Sequence, residues 1–372
     1  MIYLDNAATT KMSKKAIEAE VEVLENFYAN ASAIHSYGME SENLIKKARS
    51  YIGKVINAKA SDIYFTKGAT ESNNIVIASM AADDSSALTS RLEHSSVYDA
   101  FNNYHYKKVV FLKNDENGAI DLEDLKAKLS KDIRLISLIY VNNETGSIID
   151  IKAISKIVKA YDPNILIHID ATQALGKISC DVIDLGVDLM SFSAHKFHGP
   201  KGLGGLFVSK KALGKIKPIL FGGRQEIISS GTQNHPAIVA SARALEEVIE
   251  EDKYDYIASL NKYLREGISK NINDYKIISP NEAYSPYILS VAFKNIKSEV
   301  LVHILEDEQI YVSSGSACSK GTNNRVLEAL GVEEEYIDGV IRFSFSADIS
   351  KKDLDKTIKV LKEGIKMIRE VF

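Results

Sequence analysis

ILIHIDATQALGKISCDVIDLGVDLMSFSAHKFHGPKGLGGLFVS, residues 165–209, holds three short apolar, β-branched runs: ILIHID (165–170), LMSFS (189–193) and GGLFVS (204–209). Each run is shorter than an ordinary helix and is bounded by Asp, Gly, Pro or Lys, which reads as a buried strand. The runs are continuous rather than alternating, so both faces of the sheet they form are covered. Working outward, DIYFT (62–66), KVVFL (108–112) and LISLIYV (135–141) repeat the pattern, with helical patterns LEDLKAKLS (122–130) and IKAISKIVKAY (151–161) between strands. That alternation predicts crossover units and an α/β fold with a mostly parallel sheet.

Past residue 250 the pattern changes. A helix is expected over YIASLNKYLREGISKNI (256–272), followed by strand ILSVAF (288–293), helix EVLVHILEDE (299–308), strands IYVSSG (310–315) and VIRFSFS (340–346), and a last helix from Lys351. The expected division is a large α/β domain over 14–250 and a smaller α+β domain formed by 1–13 with 251–372.

Composition narrows the function classes. The 372 residues are 45% hydrophobic and 26% charged with a net charge of −4, ordinary for a globular protein and unlike a basic nucleic-acid footprint. The start, MIYLDNAATTK, has no basic leader or apolar signal core, and no run reaches about 18 apolar residues, so a cytoplasmic protein without membrane contact is expected. Two cysteines make no disulfide framework, and neither C-x-x-C nor H-E-x-x-H occurs, so no metal site is expected.

The unusual residues sit at strand exits, where open α/β sheets bind ligands. DIYFTKGATESNN (62–74) runs from a strand through Gly68 into a helix opening at Ala69 and Thr70. Free amides there suit a phosphate, while an ordinary capped helix start is the plainer alternative. Asp170 ends a buried strand and needs a cationic or hydrogen-bonding partner: a pyridinium nitrogen meets that need, as does a helix-capping role. Lys196, just beyond SFSAH, could present a desolvated amine to an aldehyde or could be a surface lysine of a Gly-rich hairpin. Together, a phosphate cradle, an acid and an amine match the three reactive features of pyridoxal phosphate. SSGSACSKGT (313–322) places Cys318 among Ser, Gly, Ala and Lys, unlike a buried structural cysteine. Cys180, in the apolar pattern KISCDVIDLG (177–186), reads as packing.

Over essentially its whole length the chain resembles the cysteine desulfurases, a branch of the class V aminotransferase-like, fold type I pyridoxal phosphate enzymes. The matching segments include YLDNAATT (3–10), FTKGATESNN (65–74), EHSSV (93–97), VNNETG (141–146), HIDATQ (168–173), SFSAHKFHGPKG (191–202), SGT (230–232), SSGSACS (313–319) and IRFSFS (341–346). The resemblance implies a seven-stranded large domain and the following roles. Lys196 bonds the cofactor aldehyde, Asp170 pairs with the ring nitrogen, Gln173 meets the ring hydroxyl, and His94 stacks on the ring and shuttles protons. Ala69, Thr70, Ser193 and His195 hold the phosphate, with Thr232 contributed across a homodimer interface. Asn143 orients substrate or cofactor, Arg342 clamps the substrate carboxylate, and Cys318 is the thiol that takes sulfur from L-cysteine and hands it to an acceptor protein. Iron–sulfur cluster assembly and tRNA thiolation are the pathways implied.

Selenocysteine lyase, another class V aminotransferase and a non-catalytic scaffold remain alternatives. The chain departs from the family pattern in GGRQEIISSGT (222–232), where Ile227 to Ser230 stand in place of an Arg-containing run. It departs again in NASAIH (30–35), which lacks a Pro, and in a shorter stretch between Cys318 and Arg342.

Overall fold

The structure, a computed structural model, describes residues 1–223, 225–315 and 324–371. Its strands are β1 (Ile2–Tyr3), β2 (Ile63–Thr66), β3 (Ser86–Ser90), β4 (Lys108–Leu112), β5 (Ile133–Ile139), β6 (Leu166–Asp170), β7 (Leu189–Ser193), β8 (Gly204–Val208), β9 (Tyr275–Ile277), β10 (Ile288–Phe293), β11 (Ile310–Tyr311), β12 (Ser313–Ser314) and β13 (Val340–Ser344). Strands β2 to β8 form one seven-stranded sheet in the order β2-β8-β7-β6-β5-β3-β4. The β4-β3, β3-β5, β5-β6 and β6-β7 pairs are parallel, and β8 runs antiparallel to both neighbours. Physics dictates this mixture. Helix Ile151–Tyr161 lies between β5 and β6 in sequence, as a parallel crossover requires, whereas the short connection from β7 to β8 allows only a return strand. The α/β fold class and the parallel sheet expected from the sequence are both present.

Most strands lie where the apolar runs placed them. β3, with sequence SALTS, was not expected, because polar residues hide it. All five of its residues are buried nonetheless, with Ser86 donating to Asp132 (2.8 Å) and Ser90 to Glu93 (2.6 Å). Hydroxyls satisfied by neighbouring carboxylates can occupy a sheet interior at little cost. The expected strand over 310–315 is divided. β11 pairs in parallel with β1, while β12 pairs with β13, and Val312 between them points into the core.

The helices that matter for the site are α1 (Lys14–Asn26), α2 (Ser36–Val55), α3 (Ala69–Met80) and α4 (Ser95–Asn103). α1 and α2 pack on helix His235–Glu251, and α3 packs on α4 beside the sheet. The second sheet, β12-β13-β10-β9, is backed by helices Tyr254–Asn271, Ser298–Asp307 and Lys351–Val371. Their shared core joins Leu289, Phe343 and Leu361 to Ile2 and Leu4, so the N-terminal strand packs with the C-terminal elements.

Glycine is required where β8 crosses the start of α3. A Cβ on Gly204 would lie 2.4 Å from the Phe192 carbonyl oxygen and 2.6 Å from the Gly68 Cα, both backbone atoms that cannot move aside. Gly204→Ala is therefore expected to cost about 1–3 kcal/mol of stability and to push the α3 terminus out of place. A thermal melt, together with cofactor affinity, checks this. An unchanged melt would contradict it.

Candidate active site

Six of the seven strands run the same way, and the exits of five of them carry the expected residues. β2 leads through Gly68 into α3, and β3 leads through Glu93 to His94, the N-cap of α4. β5 leads to Asn142 and Asn143, β6 ends on Asp170, and β7 runs into the turn Ala194–Lys196. β13 of the second sheet brings Arg342 to the same place, within hydrogen-bond distance of Asn143.

The start of α3 has no side-chain cap. Gly68 occupies φ 148°, a region side chains rarely adopt, and frees the first amides of the helix. The Ala69 amide donates to Ser193 Oγ at 2.8 Å. His195 Nδ1 lies 3.2 Å from Thr9 Oγ1, and burial with the neighbouring lysines 196, 201 and 177 pushes its pKa down to about 4. An open hollow of about 650 Å³ is lined by Thr9, Gly68, Ala69, Thr70, Ser193 and His195. Free amides, hydroxyls and a helix dipole are the donor set a phosphate group takes.

Asp170 is only 2% exposed. No helix follows it; residues 172–177 form turns, so the capping alternative reduces to one bond from the Thr172 amide to Oδ1 at 3.0 Å. Oδ2 accepts from Asn73 Nδ2 at 2.9 Å, and the same amide donates to Ser96 Oγ at 2.8 Å. Ser96 Oγ lies 2.9 Å from His94 Nδ1, which also accepts from the Ser96 amide at 3.1 Å. A continuous polar chain thus joins the acid to the histidine. Asn73 was missed by the sequence reading, which treated it as the interior of a helix. Its signal is position: one turn after Ala69, it faces the sheet and is fully buried.

Lys196 Nζ donates to the carbonyl oxygens of Ala7 (2.5 Å) and Ala8 (2.7 Å). Gln173 Nε2 donates to the same Ala7 carbonyl at 2.8 Å, and its Oε1 accepts from Lys177 at 2.9 Å. Burial, with Lys196 and Arg342 close by, drives the Lys177 pKa down to about 7. Arg342 is 7% exposed, donates to the Asn143 carbonyl and to Asp5 Oδ1 at 3.0 Å each, and keeps an unpartnered, buried Nε–H. A guanidinium held in place with one donor unpartnered suits a carboxylate. Asn143 enters through its main-chain carbonyl, while neighbouring Asn142 shapes the turn by accepting from the amides of Glu144 and Thr145.

These residues fit pyridoxal phosphate: a phosphate cradle, a buried carboxylate held only by neutral donors among the hydrogen bonds described, and an amine set on carbonyl oxygens. Thr232 is exposed and makes none of the site's hydrogen bonds among the described residues. Cys318 lies outside the described residues. Cys180 is 4% exposed with its thiol pKa pushed up to about 12 by burial, as expected of a packing residue. Cys180→Ala is expected to leave sulfide production unchanged while costing about 1 kcal/mol of stability, read from paired assays and melts. Lost activity would contradict it.

Three comparisons bear on identity. The family model for class-V aminotransferases matches residues 2–357. The cysteine desulfurase IscS of Dictyoglomus turgidum is 38% identical, with 100% of this chain and 96% of the relative covered. Among solved structures, a NifS-like protein superposes with a TM-score of 0.91 at 33% identity, covering 98% of this chain and 99% of its own. SspA in complex with cysteine gives 0.80 at 29% identity, covering 93% and 99%. With the strand exits arranged as they are, the chain belongs to the class-V aminotransferase family, on the branch of the cysteine desulfurases.

Proposed function

We propose that the protein is a pyridoxal phosphate-dependent cysteine desulfurase that converts L-cysteine to L-alanine and passes the sulfur to Cys318. The observation that carries this reading is the set of neighbouring strand exits. Asp170 ends β6, Lys196 follows its paired strand β7, and Arg342 of the second sheet bonds to Asn143 beyond the exit of β5.

The cofactor-holding roles follow from the donor set. The Ala69 and Thr70 end of α3, with Ser193 and His195, holds the phosphate. Asp170 holds the ring nitrogen, Gln173 the ring hydroxyl, His94 the ring face and Lys196 the aldehyde carbon. Bound there, pyridoxal phosphate supplies an electron sink that labilises bonds around the α carbon of an amino acid. Arg342 binds the substrate carboxylate, and Asn143 and Asp5 keep the guanidinium in place. Lys196 Nζ takes the α proton. The Cys318 thiolate forms an S–S bond with the substrate sulfur as the Cβ–S bond breaks, and the carbon skeleton, reprotonated, leaves as alanine.

Residues 14–250 form the cofactor-binding domain in this reading, and 1–13 with 251–372 form the smaller one, in keeping with Ile2 and Leu4 packing among the C-terminal elements. The protein works in the cytoplasm as a homodimer, with Thr232 reaching the partner's phosphate site. Support comes from an exposed apolar row, Ile17, Val21, Leu24 and Tyr28, of the kind that a second copy covers. No helix among the described residues is long and apolar enough to cross a membrane. The persulfide sulfur goes to an acceptor protein of iron–sulfur cluster assembly or tRNA thiolation. Purified protein given L-cysteine and a thiol reductant is expected to release alanine and sulfide in equal amounts. Alanine formed only with a keto acid, and no sulfide, would overturn the assignment in favour of an aminotransferase.

A further inference from the structure

Arg325 opens the helix Arg325–Ala329, seven positions after Cys318 in sequence, and none of the roles above uses it. Its guanidinium reaches across to the segment carrying His94. It donates to the carbonyl oxygens of Arg91 and Glu93, the latter at 2.6 Å, on the entry side of His94. Its guanidinium carbon lies over the Tyr98 ring, 4.0 Å from the centroid, on the exit side. One side chain therefore clamps the backbone before His94 and the first turns of α4 after it, and each contact uses a feature that lysine lacks: the planar fork and the stacking face.

The orientation of His94 can be read from the donors around it. Asn73 Nδ2 has only hydrogens to give, one to Asp170 Oδ2 and one to Ser96 Oγ. Ser96 Oγ is then the acceptor from Asn73, and its own hydrogen points to His94 Nδ1, which also takes the Ser96 amide. With two donors on Nδ1, the ring proton belongs on Nε2. We propose that Arg325 is a positioning residue for His94, fixing the loop and helix start so that the ring sits with Nδ1 turned into α4 and its proton on Nε2.

Charge acts in the same sense as geometry. Burial lowers the pKa of His94; Asp170 at the end of β6 and Asp99 on α4 oppose this, while Lys196 after β7 and Arg325 reinforce it. A second proton would have to enter at Nδ1, displacing the helix cap, with the Arg325 cation close by. The inference rests on the desulfurase reading only for what His94 serves; the state of the ring is testable without turnover.

The test uses the full-length protein with isotope-labelled histidine, with and without pyridoxal phosphate, and reads tautomer and titration from two-bond nitrogen–proton correlations. The eight histidines are assigned with the help of H94Q. The native protein should show His94 as the Nε2–H tautomer with a titration midpoint below that of an ordinary histidine. R325Q should raise the midpoint and bring in the other tautomer. R325M keeps the apolar stem over Tyr98 and serves if R325Q does not melt cooperatively; the same change is expected. Native midpoint and tautomer retained in these variants would overturn the proposal while leaving the reaction assignment standing. Missing sulfide release with the expected shifts would do the reverse.

Discussion

Lys196→Ala is expected to lower sulfide release from L-cysteine about ten-thousand-fold, the upper range for loss of a positioned proton-transfer group. Two proposed roles disappear with one amine: holding the cofactor in place and taking the α proton. The structure shows why no neighbour substitutes. Nζ is set on the Ala7 and Ala8 carbonyls, and Lys177, the nearby amine, is committed to Gln173 Oε1. Folding should survive, because Ala7 and Ala8 are held by other contacts as well: Gln173 Nε2 also donates to the Ala7 carbonyl, and Ser344 Oγ accepts from the Ala7 amide. Parallel assays of alanine and sulfide, with excess cofactor and with added methylamine, are the check. Activity within tenfold of the native protein, with no amine added, would contradict the role.

Arg342→Ala should lower kcat/KM for cysteine by about a hundredfold, chiefly through KM, because a charge-assisted hydrogen bond to a carboxylate is worth about 1.5–3 kcal/mol. The side chain is held from both sides, by Asn143 and by Asp5, so its position is fixed before substrate arrives. Truncation also leaves Asp5 without its cation, and a fall in melting temperature is expected alongside. The diagnostic is the split. Cofactor binding to the variant should stay near native, since the role proposed for Arg342 is on the substrate side of the site. A variant that loses cofactor but keeps its KM would reverse that placement.

How much of this was legible beforehand depends on what kind of group carries each role. Strands over 108–112, 189–193 and 288–293 were readable to the residue, because continuous apolar runs have few other uses in a chain of this composition. SALTS was not, since three of its five residues are polar and the Asp132 carboxylate that takes the Ser86 hydroxyl is 46 residues away, so no local pattern records that pairing. Residue types with distinctive chemistry, Asp170 and Lys196, stood out at strand exits, whereas His94 was singled out only through the family resemblance. Asn73 did not, because an asparagine inside a helix gives no local sign that its amide ties an acid to a histidine through a serine. The Ala7 and Ala8 carbonyls that receive Lys196 are main-chain atoms, invisible to any reading by residue type. Arg325 looked like one charge among many, and its clamp exists only through contacts with positions more than two hundred residues earlier.

The resemblance contributed what geometry within one chain could not. Thr232 is exposed here, and its expected role needs a second copy. Cys318, outside the described residues, draws its assignment from family likeness and from the polar stretch around it. The physical contrast with Cys180 is sharp: burial raises that thiol to about 12, far from the range where a thiolate forms at neutral pH.

The proposed reaction requires sulfur to pass from cysteine to a single thiol of this chain. Holoprotein treated with L-cysteine, quenched without reductant and digested, should show the peptide containing Cys318 heavier by one sulfur atom, with alanine released in step and the Cys180 peptide unchanged. Added sulfur on Cys180, or alanine accumulating through the first turnover with no sulfur on either cysteine, would contradict it.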